Sequence, residues 1–348
     1  MMNAKQIVVD AIHLKKTPRN PVALLSGGVW TFNRRGYSLQ DLLTQPELAA
    51  TIIVETSKEA ESDIVWAGSG YHNLAIRALG GAIKFRAKGA PDIQTPLLEK
   101  VDDLERLDLN RLRQDAEIQT LLQTAQRVVA GLGNERLIGA SQWGPFTLAG
   151  HLYGVEKLMR SIYRDQAAVA TVLEFTTELC VSYLQSFIHT GVAIVSIAEP
   201  SASGDLISPR QFAQFVVPSL QKAVGRLKQQ GVLVALHICG NITNRLELVP
   251  ATGVDLLSVD YKVDLEQVRL QLGGKLAFAG NMNPVAVMQN ATAAEVTLAC
   301  QTCLRQVGDT PGYILMPGCD IPPGVPLANI QAMIAAAYQS KINRKVNH

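Results

Sequence analysis

Eight short apolar runs, near residues 23, 64, 138, 195, 234, 257, 277 and 314, are mostly separated from one another by sequence of helical spacing. No other feature constrains the fold so much. Val192–Ala198 shows the type: it is continuous and β-branched, without the polar alternation of a strand that faces water, as a strand covered on both faces requires. Strand and helix repeated in turn place parallel strands side by side with helices packed over them. Eight such units predict a (β/α)8 TIM barrel, and 348 residues suit a single barrel domain over 1–348 with N-terminal elaborations. A doubly wound open sheet is the alternative, although no glycine-rich dinucleotide fingerprint supports it.

Local signals follow the same rhythm. Helices are expected at 46–61, 107–130, 165–190, 243–249, 264–272 and 326–338. Ser208-Pro209-Arg210-Gln211 combines a capping hydroxyl, a proline at the first helical position and a capping-box glutamine, announcing a helix to about Gln230. Thr292 and Glu295 repeat the box. Residues 80–95 break the pattern, with Gly80, Gly81, Gly89 and Pro91 around Ile83-Lys84-Phe85-Arg86. That stretch reads as an inserted hairpin or flap, of the kind that covers a site.

Composition narrows the partners. With 47% hydrophobic and 18% charged residues, the chain can bury a large core, and disorder and coiled coil are excluded. The formal charge is +2, and basic residues gather only at Lys15-Lys16, Arg19 and Lys341 to Lys345, without interleaved aromatics, so no nucleic-acid partner is expected. The first residues lack an apolar core with a cleavage site, and no stretch approaches roughly 20 uninterrupted apolar residues. No membrane partner is expected, and the location expected is cytoplasmic. Five cysteines in so long a chain do not make a disulfide framework, so each needs its own reading.

Two of them stand at strand ends. Val232–Asn241 is an apolar run closing on His237-Ile238-Cys239, and residues i and i+2 of a strand point to one side, so an imidazole and a thiolate can meet one ion. Cys319 stands 80 positions on, after another apolar run and Pro317-Gly318. In a barrel both positions fall on the mouth at the strand C-termini. Three soft ligands on two distant strands suit a metal site with one coordination position open, whereas structural zinc usually draws four ligands from close pairs. Cys300 and Cys303 share an apolar stripe with Val296, Ala299, Leu304 and Val307, and with Cys180 are expected in the core. Glu199 ends the run at 192–198, either paired to an arginine such as Arg210 or placed to touch metal or substrate. His72, His151 and His189 read as satisfied packing or surface residues, and Trp143, Phe146 and Tyr261 as either packing or pocket lining.

His237-Ile238-Cys239-Gly240-Asn241, Gly280-Asn281 followed by Pro284, Pro317-Gly318-Cys319-Asp320-Ile321 and Pro326-Leu327-Ala328-Asn329 together resemble the corrinoid-dependent methyltransferases of the uroporphyrinogen decarboxylase superfamily, and most of all the methylcobalamin:coenzyme M methyltransferases. Gly144-Pro145-Phe146 and the stretch Ser196–Pro209 extend the likeness from about Pro21 to Tyr338. The resemblance implies a (β/α)8 barrel of the uroporphyrinogen decarboxylase type with Zn2+ held by His237, Cys239 and Cys319. It implies methyl transfer from methylcobalamin or another methyl-corrinoid to a zinc-held thiol such as coenzyme M. Soft thiolate ligands suit zinc to holding a nucleophilic thiolate. Glu199 is then the expected acid–base residue, and Asn281, Asp205 and Tyr261 are expected to position substrate. A separate corrinoid protein is the expected partner, because the chain lacks an Asp-x-His-x-x-Gly segment.

The arginine-rich and Phe-Ser-Asp motifs of the decarboxylase branch are absent, which speaks against porphyrinogen decarboxylation. Three alternatives stay open: a lyase acting on a non-porphyrin substrate, methyl transfer to another acceptor such as a folate, and a zinc-stabilised scaffold that docks a corrinoid protein.

Overall fold

A computed structural model of the chain describes residues 3–343, with the side chains described to residue 340, so the basic tail at 341–345 falls outside the described side chains. The strands are β1 (Ile64–Trp66), β2 (Ile83–Lys84), β3 (Asp92–Ile93), β4 (Leu137–Trp143), β5 (Ile194–Ala198), β6 (Leu233–Ile238), β7 (Leu256–Val259), β8 (Ala277–Met282) and β9 (Tyr313–Pro317). Seven of them form one parallel sheet in the order β1-β4-β5-β6-β7-β8-β9, so each strand lies beside the next sheet strand in the chain. Antiparallel β2–β3 stands apart, with Ile83 opposite Ile93, inside the stretch read as an insertion.

The strand expected at 22–25 is not a regular one. Val22 makes a single parallel bridge to Leu315. Its backbone nevertheless reaches both edges of the curled sheet. Ala23 N donates to Leu315 O (3.0 Å) and Leu315 N to Pro21 O (2.9 Å), while Asp63 N, just before β1, donates to Val22 O (2.9 Å). Pro21 has no N–H to offer, Val22 N donates to the Asp63 carboxylate (2.9 Å), and Leu24 N turns to Ser62 Oγ (3.4 Å), so a continuous ladder cannot form. Asp63 is fully buried and takes two bonds from Arg19 (2.6 and 2.7 Å), whose guanidinium lies 4.1 Å from the Tyr338 ring. The seam of the barrel is therefore closed by side chains as much as by backbone.

Inside the sheet lies a core of Ala23, Leu25, Ile64, Trp66, Leu137, Ile194, Ala235, Leu256, Ala277, Ala279, Ile314 and Met316, to which helix Ala4–Ile12 adds Val8 and Ile12. These positions set the alternation of each strand. Two residues further on, the same inward face carries Ser196, His237 and Ser258 toward the C-terminal mouth, and on the longer β4 it carries Ser141 and Trp143.

Outside, helix Gln166–Ile188 is long and apolar enough to cross a membrane by composition, but 56% of that stretch is buried in the fold, with Leu179, Cys180, Val181 and Leu184 wholly enclosed. Both capping boxes form, at Ser208 with Gln211 and at Thr292 with Glu295. The helix after Ser208 is less regular than expected, passing through a π-helical turn at Phe212–Val216 before α-helix Val217–Lys228. Pro218 explains this, since it has no N–H for an i−4 bond and its ring crowds the preceding turn. The helix expected at 243–249 is 3₁₀ over Thr243–Thr252, a stretch containing Pro250. Cys300 and Cys303 are buried on helix Ala293–Val307.

Candidate metal centre

His237 is 3% exposed near the end of β6 and faces the barrel interior. Its Nδ1 lies 3.1 Å from the hydroxyl of Ser258, its register partner on β7, which leaves Nε2 for the mouth. There Nε2 is 3.0 Å from Cys239 Sγ, and Cys239 Sγ is 3.5 Å from Cys319 Sγ. All three ligand atoms fall within 4.8 Å of one another. The two strand ends thus meet as their spacing predicts.

Glycines make the meeting feasible. Gly240 turns the chain with φ +81°, its N–H donating to Asp260 Oδ2 (2.9 Å) at the end of β7. Gly318 brings the exit of β9 so close to the next loop that a Cβ there would stand 2.4 Å from Tyr261 N. Any side chain at 318 would push Cys319 away from Cys239.

The two thiols share a proton unequally. The hydrogen bond between them, together with burial, pushes the Cys239 thiol far up. The same bond from Cys239, reinforced by one from His237, draws the Cys319 thiol down. Such a pair holds one thiolate readily, and a second needs a cation beside it. The donor set fits zinc. A tetrahedral ion with sulfurs at about 2.3 Å requires roughly 3.8 Å between them, and the sulfurs stand 3.5 Å apart.

The other predicted residues fall in different places. Glu199 is wholly buried, and its carboxylate accepts from Phe146 N (2.9 Å), Thr147 N (2.8 Å) and Thr147 Oγ1 (2.7 Å). It caps helix Pro145–Tyr153 from the helix side of β5, and it is neither one of the three clustered ligands nor paired to the exposed Arg210. Gly144 leaves room for it, since a Cβ there would stand 2.2 Å from Glu199 Oε1. Burial pushes the Glu199 carboxyl up to about 7 despite its three donors. Asn281 Nδ2 donates to Asp260 O (3.1 Å) and so ties β8 to the β7 exit. Asp205 lies on the loop after β5, its carboxylate 3.4 Å from Lys262 Nζ. Tyr261 is 43% exposed at the rim, whereas Phe146 is core.

One residue escaped the sequence reading, and three that were read singly as packing or pocket lining are joined in the structure. Ser258 repeats two residues before Asp260 the i, i+2 logic of His237 and Cys239, a signal that could have found it. His72, Trp143 and His151 form a row of rings, with centroids 4.5 and 5.8 Å apart, along the mouth side of β4. His72 Nε2 bonds Ser141 Oγ (2.8 Å), Trp143 Nε1 donates to Asn73 Oδ1 (2.7 Å), and Asn73 Nδ2 holds Pro91 O beside β3 (2.8 Å). Burial draws both imidazoles down to about 4, so the row is neutral near pH 7. No spacing rule joins residues so far apart in the chain.

Comparison with known proteins agrees with this architecture. Residues 3–340 match the uroporphyrinogen decarboxylase (URO-D) family. The chain is 30% identical over 254 residues to the methylcobamide:CoM methyltransferase MtbA of Methanosarcina acetivorans, covering 73% of each chain. It is 26% identical to the uroporphyrinogen decarboxylase of Carboxydothermus hydrogenoformans, covering 95% of each. A solved methyltransferase from Methanosarcina mazei superimposes with a TM-score of 0.87 at 24% identity, covering 97% of this chain and 99% of that one, which shows the shared fold. The chain therefore belongs to the uroporphyrinogen decarboxylase family, and within it resembles the corrinoid-dependent methyltransferases.

Proposed function

We propose that this protein is a zinc-dependent methyltransferase that moves a methyl group from a protein-bound methyl-corrinoid to a thiol such as coenzyme M. The observation that carries the reading is the convergence of His237, Cys239 and Cys319 at one barrel mouth, in a chain whose relatives include methylcobamide:CoM methyltransferases. Three protein ligands, two of them sulfur, leave a fourth position for substrate.

Zinc bound there supplies one thing, a lowered pKa for the acceptor thiol, so that its sulfur is held as a thiolate near neutral pH. The chain's own residues do the rest. Ser258 fixes the ring of His237, with Nε2 directed to the mouth. Asp260 locks the Gly240 turn that carries Cys239, and Asn281 braces the backbone of Asp260. A methyl-corrinoid presented at the mouth would supply the methyl group and, as the new C–S bond formed, would keep the electron pair of the bond it gave up; His237, Cys239 and Cys319 are the residues that would hold the accepting sulfur there. Glu199 serves this reading from a distance, by fixing the start of the helix that follows β4 and its aromatic row.

The test combines metal quantification with methylcobalamin and a panel of thiols. Stoichiometric zinc and thioether formation are expected in the native protein, both lost in Cys239→Ser. If Cys239→Ser keeps full zinc and full thiol methylation, the reading fails. Release of CO2 from a substrate without corrinoid would support the lyase alternative instead, and folate methylation with no thiol product would move the acceptor.

A further inference from the structure

Cys239 and Cys319 differ from the other three cysteines in a way that the methyl-transfer reading does not use. Cys180, Cys300 and Cys303 are 0%, 0% and 7% exposed, packed on helices Gln166–Ile188 and Ala293–Val307. Cys239 and Cys319 are half-buried at the open mouth. A dissolved reagent therefore meets these two sulfurs first.

It also meets them together. The sulfurs are 3.5 Å apart although the residues are 80 positions apart in the chain. Backbone beside each of them is pinned: Gly240 N donates to Asp260 Oδ2 (2.9 Å), Gly318 N donates to Met282 O (2.7 Å), and Asp320 Oδ1 accepts from Gly27 N (2.8 Å) and Ile321 N (3.0 Å). The exits of β6 and β9 cannot drift apart, so each sulfur keeps the other as its neighbour. A disulfide needs about 2.0 Å between sulfurs, which leaves a gap of about 1.5 Å to be closed by rotation of two side chains.

We propose that Cys239 and Cys319 are an oxidative modification site, closed to an intramolecular disulfide by low-molecular-weight disulfides, and that the closed form excludes metal from the mouth. The inference rests on the metal-centre reading and adds its regulation. One cysteine sulfur attacks the reagent disulfide, forming a mixed disulfide and releasing one reagent thiol. The second cysteine then attacks the first cysteine's sulfur and releases the other reagent thiol. Two cysteine S–H bonds are exchanged for one S–S bond, and the two electrons and two protons given up reduce the reagent to two thiols. Because the second sulfur is already in place, that step is intramolecular and the mixed disulfide does not accumulate.

Oxidation removes two of the three clustered ligands at once and leaves His237 alone. A metal ion in the cluster engages both sulfurs and blocks the attack. The mouth is thus either metal-loaded or disulfide-closed, and the supply of reductant sets how much of the protein can be loaded.

The experiment incubates the full chain with glutathione disulfide, once after stripping with a chelator and once after loading with zinc, and follows intact mass, peptide map and metal content. The stripped protein is expected to lose the mass of two hydrogens, to yield a peptide joining Cys239 to Cys319 and to keep its far-UV circular dichroism. Its zinc affinity is expected to fall at least about 100-fold until dithiothreitol restores it, since losing even an outer partner of a ligand typically costs 10- to 100-fold. Zinc-loaded protein is expected to oxidise at least about tenfold more slowly. Cys319→Ser is expected to retain glutathione on Cys239 as a stable adduct, because the resolving sulfur is gone. Lasting glutathione adducts on the native protein, a crosslink through Cys180, Cys300 or Cys303, zinc affinity unchanged by oxidation, or no protection by zinc overturns the proposal. None of these readouts needs methyl transfer. A protein that oxidises as expected but methylates no thiol sinks the methyltransferase reading alone, and one that methylates thiols but forms no bond between Cys239 and Cys319 sinks this inference alone.

Discussion

Ser258 Oγ lies 3.1 Å from Nδ1 of His237 at the same register on the neighbouring strand, so the imidazole that faces Cys239 and Cys319 is oriented by the sheet itself. A partner on the far nitrogen fixes the tautomer and the ring plane, and losing one typically weakens metal binding about 10- to 100-fold. Ser258→Ala is expected to weaken zinc binding by that factor while leaving the barrel folded. Competition with a fluorescent chelator, alongside far-UV circular dichroism, checks both halves.

Glu199 is expected to report on stability before chemistry. Glu199→Ala leaves Phe146 N, Thr147 N and Thr147 Oγ1 without their acceptor in a buried place. The cost expected is about 3 kcal/mol, read by urea denaturation, with zinc content retained. Unchanged stability together with lost methyl transfer would return Glu199 to the chemistry.

The row at the mouth sets an acid limit. His72 and His151 are drawn down from 6.5 to about 4, so between those values the unfolded chain binds more protons than the folded one. Their contribution to stability is complete above pH 6.5 and is lost as pH falls through about 4. Each half-buried ring contributes on the order of 2 kcal/mol. Denaturation curves from pH 7 to 4 should show a shallower acid slope in His72→Gln combined with His151→Gln than in the native protein. Equal slopes would mean that the rings titrate normally.

At the seam, Asp63 holds Arg19 in two bonds and also takes Val22 N, all out of solvent. Asp63→Ala strands a buried guanidinium and frees the closing segment, a loss expected at about 3–5 kcal/mol. Arg19→Met is expected to cost less, because the Asp63 carboxylate it leaves keeps Val22 N (2.9 Å) and a second guanidinium, Arg136, at 3.5 Å. A double-mutant cycle in urea measures the coupling, and additive losses would show that the two residues act independently.

Much of this was legible in the chain. Seven of the eight apolar runs became sheet strands because burial on both faces demands continuous β-branched sequence, and that demand is local. The run at 22–25 carried the same signal but gave its N–H groups to Asp63 and Ser62, partners that spacing does not reveal. His237, Cys239 and Cys319 were visible because strand periodicity and the barrel mouth fix directions. Glu199 was misdirected by its position, since a strand-end carboxylate can turn to the helix layer as well as to the mouth. His72 and Trp143 were read one at a time, and their stacking was not legible because it depends on how the loop after β1 folds over β4, which no short-range pattern encodes.

The exit of β9 carries two duties within a few residues. Leu315 receives Val22, and Asp320 Oδ1 takes Gly27 N at 2.8 Å, while Cys319 between them supplies the last sulfur. A ribosome delivers residues 22–27 first and must make almost three hundred more before their partners emerge. Ring closure and the gathering of the three clustered ligands therefore mature together, late in synthesis, and a nascent chain stopped short of Leu315 has neither a sealed barrel nor the complete cluster.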